Sequence, residues 1–211
     1  EDSAPTLSSL ISILERDGLP NYFGAQRFGI DGQNIQRAVR WLIEGGRAPK
    51  APFQRKMLAS ALQSALFNQL LGERLQRGDL HRALHGDLMR KEETGGLFVA
   101  EDAEQETQRV ERWETSPTGP MFGPKMREAE HEAGTREQEI LKHWGLSHDS
   151  MGAWRKIAPG TRRPLRVRPG HLRWKQIADQ LELSFDLPAG SYATTLVREI
   201  TKHTPEPPIT P

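Results

Sequence analysis

The chain has 211 residues, of which 36% are hydrophobic and 27% charged, with a net charge of +1. Such a composition suits one or two globular units and excludes wholesale disorder. The absence of cysteine rules out disulfides, thiolate–zinc sites and thiol nucleophiles, and fits a reducing compartment. No apolar run approaches the roughly 18 to 20 residues of a membrane helix. With no signal-peptide pattern at Glu1, a soluble, cytoplasmic protein is expected.

In chain order, Leu7, Leu10, Ile11 and Leu14 follow helical spacing, and Gly18 with Pro20 ends that segment. A glycine-rich turn region, Gly18 to Gly32, precedes a second helix whose apolar face is Ile35, Ala38, Val39, Leu42 and Ile43, stopped by Gly45 and Gly46. A basic linker from Arg47 to Lys56 leads into the clearest helix. Its core stripe is Leu58, Leu62, Ala65, Leu66, Leu70 and Leu71, with Gln63, Glu73 and Arg74 expected outside it.

Runs at Gly86 to Arg90 and Leu97 to Ala100 flank a Glu-Glu-Thr-Gly-Gly turn and predict a hairpin. An acidic helix is expected over Ala103 to Arg112. The prolines of Pro117-Thr-Gly-Pro120 lack amide donors, so irregular structure is expected there. Glu128 to Trp144 predicts a helix ended by Gly145. Leu165 and Val167 alternate with Arg166 and Arg168, predicting a strand with one basic face. Leu181, Leu183, Phe185 and Leu187 predict a half-buried strand. A last helix carries Leu196, Val197 and Ile200, and the four prolines between Thr204 and Pro211 predict a disordered tail. No internal repeat is present. The mixture predicts an α+β fold, with Pro/Gly-rich boundaries near Arg47 and Pro164 setting off a middle unit.

Charge is unevenly spread. Arg155, Lys156, Arg162, Arg163, Arg166, Arg168, Arg173 and Lys175 fall in one stretch without an acid, whereas Glu92 to Glu114 is acid-rich. A basic face beside an acidic one can orient a polyanion, although solvated surface alone gives the same pattern.

Three stretches carry chemistry. GLPNYFGAQRFG (18–29) sets Asn21, Phe23, Gln26 and Arg27 between glycines. Aromatic faces can stack on a flipped base, amides can read its edge, and Arg27 can engage phosphate. An aromatic turn packed on its own core, with Arg27 in an ion pair, fits the same residues. SALQSALFNQLLGER (60–74) reads as a packing helix. LPAGSYATTLVRE (187–199) places Ser191 and Tyr192 at a turn before a helix, which suits either an anion site or an ordinary capped helix.

The first of these stretches is similar, almost residue for residue, to the signature of the TruD family of pseudouridine synthases. The second and third, with PTGP (117–120) and GTRRPL (160–165), resemble further family segments in the family's order. The resemblance implies a pseudouridine synthase catalytic domain (1–46 and 165–211) interrupted by the family's insertion domain (47–164). It implies a tRNA substrate whose uridine at position 13 is isomerised without metal or cofactor, by a monomer. It also implies that Asn21, Phe23 and Tyr192 hold the target nucleotide. The basic residues Arg27, Arg155, Lys156, Arg162, Arg163, Arg166 and Arg168 are expected to contact RNA.

The family's nucleophilic aspartate sits in a Gly-x-Lys-Asp segment, and this sequence has none; Asp31, Asp79, Asp87 and Asp186 stand in unrelated contexts. The aspartate is therefore expected upstream, in agreement with a first residue that is Glu rather than Met. A non-catalytic RNA-binding fragment is the alternative. A zinc site using His81 and His85, or His131, His143 and His148, has neither a His-Glu-x-x-His motif nor a placed third ligand. The synthase reading rests on an open cleft lined by Asn21, Phe23 and Tyr192.

Overall fold

Helix α1 (Leu7–Asp17) begins where the Thr6 hydroxyl accepts the Ser9 amide at 3.3 Å and ends at Gly18. In this computed structural model, which describes residues 6–178 and 180–201, Gly18 has φ +88° and donates its N–H to the Leu14 carbonyl. A Cβ there would meet the Trp113 ring at 2.6 Å, so glycine serves both the turn and the contact. The proline-rich tail from Thr204 lies outside the described residues.

After the two-residue strand β1 (Leu19–Pro20) and two 3-10 turns comes α2 (Gln33–Leu42), burying Ile35 and Ala38 as its periodicity predicts. Helix α3 (Pro52–Gln76) starts inside the expected linker, because a proline at the first turn forfeits no hydrogen bond. It is also less amphipathic than its leucine stripe implies. Gln63 and Arg74, expected outside, are buried. Neighbouring chain satisfies them: Gln63 Nε2 donates to the Phe122 carbonyl at 2.6 Å, and Arg74 pairs with Asp87 at 2.9 Å.

The expected hairpin forms as β2 (Leu88–Lys91) against β3 (Leu97–Val99). The Asp102 carboxylate caps α4 (Ala103–Glu111) by accepting the Glu104 and Gln105 amides, both at 3.0 Å. Pro117 to Pro120 is a correction: it lies in strand β4 (Thr115–Met121), inside a sheet of order β3-β2-β4-β5, with β5 at Thr161–Pro164. The prolines are tolerated because the neighbours are staggered. β2 engages Thr115 to Pro117, and β5 engages Thr118 to Met121, so β4 needs no complete ladder on either side. Helix α5 (His131–His143) packs on α3 and ends near Gly145, which has φ +66°.

Beyond β5, strand β6 (Arg166–Val167) pairs antiparallel with β1, joining the late chain to the early one. Strands β7 (Gly170–Ile177) and β8 (Gln180–Asp186) form a hairpin, and α6 (Ala193–Thr201) follows. Ile11, Leu14, Leu19, Val167, Leu172, Leu196 and Ile200 form one small core, with Leu183 and Phe185 against it. A larger core joins Phe23, Phe28, Ile35 and Ala38 to α3, α5, Trp154 and Leu165. Packing therefore crosses the expected boundary at Arg47.

The basic face expected around Leu165 to Arg168 does not form, because Arg166 is turned inward and only 2% exposed. Its guanidinium stacks 3.8 Å above the Trp113 ring and donates to the carbonyls of Asp17 (3.1 Å) and Val110. Trp113 Nε1 in turn donates to the Arg16 carbonyl at 2.9 Å, tying the segment before β4 to α1.

Candidate functional site

The three singled-out stretches meet around one ring. Phe23 is pinned by α3: the Asn68 side chain accepts its amide at 2.9 Å and donates to its carbonyl at 3.0 Å. Phe67 meets the ring edge-on at 5.6 Å between centroids, and Tyr192 does so at 5.8 Å. Gly24 makes room for the third stretch. A Cβ on it would meet Thr194 Oγ1 at 2.9 Å and the Tyr192 ring at 3.2 Å. Thr194 Oγ1 also donates to Gln26 Oε1 at 3.2 Å, closing the loop onto the start of α6.

Asn21 and Phe23 are both buried, at 4% and 8% exposure, and Tyr192 is half-buried. The open cleft expected over them is filled. The Arg163 guanidinium lies 4.1 Å from the Phe23 centroid and covers the ring face. It donates to the Asn21 carbonyl (3.1 Å), to Asn21 Oδ1 (2.6 Å) and to the Gly190 carbonyl (3.0 Å). Asn21 Nδ2 donates to the Pro164 carbonyl at 2.9 Å, so its amide is engaged at both ends. Arg27, 5.7 Å from the same ring, donates to the Ser64 hydroxyl (3.3 Å) and to that of Ser60. Among the described residues neither Arg27 nor Arg163 has a carboxylate within 4.0 Å. Burial, opposed by Tyr192 and more weakly reinforced by repulsion from Arg27, brings the Arg163 guanidinium down to about 10; burial pushes the Tyr22 hydroxyl up to about 12.

The remaining cations sort by burial. Arg155, Lys156 and Arg168 are exposed. Arg162 and Arg166, expected on an RNA-facing surface, are internal. The Arg162 side chain is 1% exposed and holds Glu137 through bonds of 2.6 and 2.9 Å, while Thr118 takes two more of its donors. A guanidinium so engaged is not available to a phosphate. Asn68, Ser60 and Ser64 touch Phe23 or Arg27 at this candidate site, and helical periodicity hides them. The signal for Asn68 is its place between Phe67 and Leu70, a polar group on a helix buried nearly all round.

Among the described residues no three His, Asp or Glu side chains are grouped to hold a metal ion. His85 and His131 stack face to face at 4.1 Å, and His81 Nδ1 lies 3.1 Å from an Arg166 nitrogen. A cavity of about 890 Å³ lies away from the Phe23 ring, lined by Lys91, Phe98, Arg109 and Arg127 together with several acids. No described helix is long and apolar enough to cross a membrane.

This α+β fold matches that of a solved TruD structure from Methanosarcina mazei with TM-score 0.70, at 21% identity, over 92% of this chain and 63% of that one. The family model for tRNA pseudouridine synthase D (TruD) matches residues 49–200, and the chain belongs to that family. The tRNA pseudouridine synthase D of Anaeromyxobacter dehalogenans strain 2CP-1 is 44% identical over 196 residues, covering 90% of this chain and 56% of that protein. The one from Thermus thermophilus is 40% identical over 194 residues, covering 92% and 53%. The chain thus spans about half the length of these curated relatives.

Proposed function

We propose that this chain is part of an enzyme that isomerises the uridine at position 13 of tRNA to pseudouridine. Because Arg163 fills the open cleft on which the sequence reading rested, the reading is carried instead by the convergence of the 18–29 loop, α3 and the 187–192 turn on the Phe23 ring. These are the stretches by which the sequence resembles the TruD family, and they come from three distant parts of the chain. In the reaction the bond from C1′ to N1 of uracil breaks, the base turns, and C1′ joins C5. C5 gives up its proton and N1 gains one, so no electrons are exchanged and no redox cofactor is required.

The target base must first leave its stack. Phe23, with Tyr192 at its edge, supplies an aromatic platform, and a base on such a platform gains about 1–3 kcal/mol. Asn21 offers the polar edge that reads it. An aspartate outside this chain supplies the nucleophile or base. Arg155, Lys156 and Arg168 contact tRNA phosphates, giving affinity without sequence information, and Arg27 serves the phosphate nearest the ring. The enzyme acts as a cytoplasmic monomer. The domain division enters as part of the same proposal: the small core unites segments of 1–46 with segments of 165–211, and the inserted 47–164 lends α3 to the site.

A second reading is an RNA-binding module without catalysis, for which the exposed cations Arg155, Lys156 and Arg168 are sufficient. Protein expressed from the complete reading frame, incubated with unmodified tRNA transcript, separates the two. Pseudouridine mapped at position 13 supports the synthase, and tight binding with an unchanged transcript supports the module.

A further inference from the structure

We propose that Arg163 is a placeholder for the target base: its planar guanidinium occupies the face of Phe23 and the Asn21 acceptor until an extruded uracil displaces it. This rests on the reading above, in which Phe23 stacks that base.

Three roles compete for this side chain, and the geometry separates them. A phosphate contact needs donors aimed outward. The recorded Nε and Nη2 bonds of Arg163 all turn inward to Asn21, and Nη1 is held by the Gly190 carbonyl of the exposed 187–192 turn rather than left free. A structural ion pair needs a carboxylate. The neighbouring Arg162 has Glu137, and Arg163 has none among the described residues. What Arg163 has is a flat, weakly hydrated group stacked on an aromatic face, the arrangement a nucleobase would adopt there. Burial without a counter-charge makes the position less secure than that of Arg162, as a group meant to leave requires.

The acceptors it would vacate suit uracil in particular. Asn21 Nδ2 is committed to the Pro164 carbonyl, which fixes Oδ1 toward Arg163. Once the guanidinium swings out, Oδ1 is freed as an acceptor, together with the Asn21 backbone carbonyl. The N3–H of uracil donates to it, whereas cytosine presents an acceptor at N3 and would leave two lone pairs opposed. The same displacement releases the Gly190 carbonyl, which links base entry to the turn carrying Tyr192. Arg163 is thus a positioning and specificity residue rather than a catalytic one.

The test uses protein from the complete reading frame and a tRNA transcript with 2-aminopurine beside the target uridine, whose emission rises as its neighbour leaves the stack. Stopped-flow emission reports extrusion, and anisotropy reports overall affinity. Arg163→Ala and Arg163→Lys remove the flat stack, the second keeping the charge. With the placeholder gone, both should extrude the uridine about three- to tenfold more readily, because the competent state no longer has to be cleared first. The preference for uridine over cytidine at the target should persist, since Asn21 stays bonded to Pro164.

Lower extrusion in both variants overturns the proposal. So does wild-type behaviour in Arg163→Lys beside weakened binding in Arg163→Ala, which is the signature of a phosphate contact. If Arg163→Ala does not fold by thermal melting, Arg163→Lys alone decides. Phe23→Ala separates the two levels. If it leaves extrusion unchanged, the stacking reading itself fails; if it reduces extrusion while the Arg163 variants match wild type, only the placeholder fails.

Discussion

Arg162 and Arg163 are neighbours on β5, and strand alternation sends them to opposite sides of it. On one side Arg162 enters a site complete in charge, with both Glu137 oxygens and Thr118 around it. On the other side Arg163 meets an aromatic face and neutral carbonyls, with Arg27 rather than an acid nearby among the described residues. The first arrangement holds β5 to α5 and leaves nothing for a ligand to gain. The second leaves a cation half out of water and unmatched, and that is where a ligand has something to offer. Within one sheet, charge matching separates framework from site better than the count of arginines does.

The comparison breaks first at Arg162. Replacing it by Met strands a buried carboxylate, which costs about 3–5 kcal/mol, read as a large drop in the urea midpoint. Adding Glu137→Leu should restore much of that loss, because an apolar pair of similar volume is tolerated where a lone charge is not. A single variant that melts like wild type would show the pair to be ornamental. The next effect lies on the other side of the strand. Phe23→Ala in the intact enzyme should slow pseudouridine formation by about 5- to 150-fold, the rate equivalent of losing about 1–3 kcal/mol of stacking, while tRNA affinity changes about twofold or less. Equal losses in rate and affinity would refute a base-stacking role for the ring.

The α+β character, the helices and both hairpin strands at Leu88 and Leu97 could be read from the sequence because each is a local pattern. What escaped was set by partners far along the chain. Pro117 and Pro120 look like breakers, yet the stagger of β2 and β5 spares β4 the donors they lack. Arg74, Arg162 and Arg166 look like surface charge, and only the arrival of Asp87, Glu137 and Trp113 draws them inside. At the site, the resemblance of two separate stretches named Asn21, Phe23 and Tyr192 as pocket residues, and Tyr192 does meet the Phe23 ring. It could not reveal that Arg163 covers the ring, since two adjacent arginines look alike until the strand assigns their sides.

The exposed cations sharpen the comparison from a third direction. Arg168 is exposed, 5.6 Å from the Trp113 ring on which Arg166 is stacked. Arg168→Glu should weaken tRNA binding for every sequence alike and reduce the slope of log affinity against log salt by about 1, with the melting temperature held. An unchanged slope removes this residue from the RNA face. Reversing the buried Arg166 would test folding instead of binding, which is why Arg168 is changed alone.

The smallest expected effect concerns the histidine beside that buried arginine. His81 Nδ1 lies 3.1 Å from an Arg166 nitrogen, so the neutral ring accepts there and carries its proton on Nε2. Burial lowers its proton affinity below the ordinary 6.5; Arg166 and, more weakly, Arg16 push the same way, and Asp17 opposes them. With the folded value depressed, the unfolded chain takes up the proton first as the pH falls. Stability is then fully present above about 6.5, the ordinary histidine value, and declines as pH drops toward the folded value. The urea midpoint should therefore fall more steeply from pH 7.5 to 5.5 in the wild type than in His81→Gln, whose amide oxygen can accept from Arg166 at every pH. Parallel slopes would mean that His81 titrates as freely in the folded protein as in the unfolded chain, and that the inward-turned Arg166 tolerates a second cation beside it.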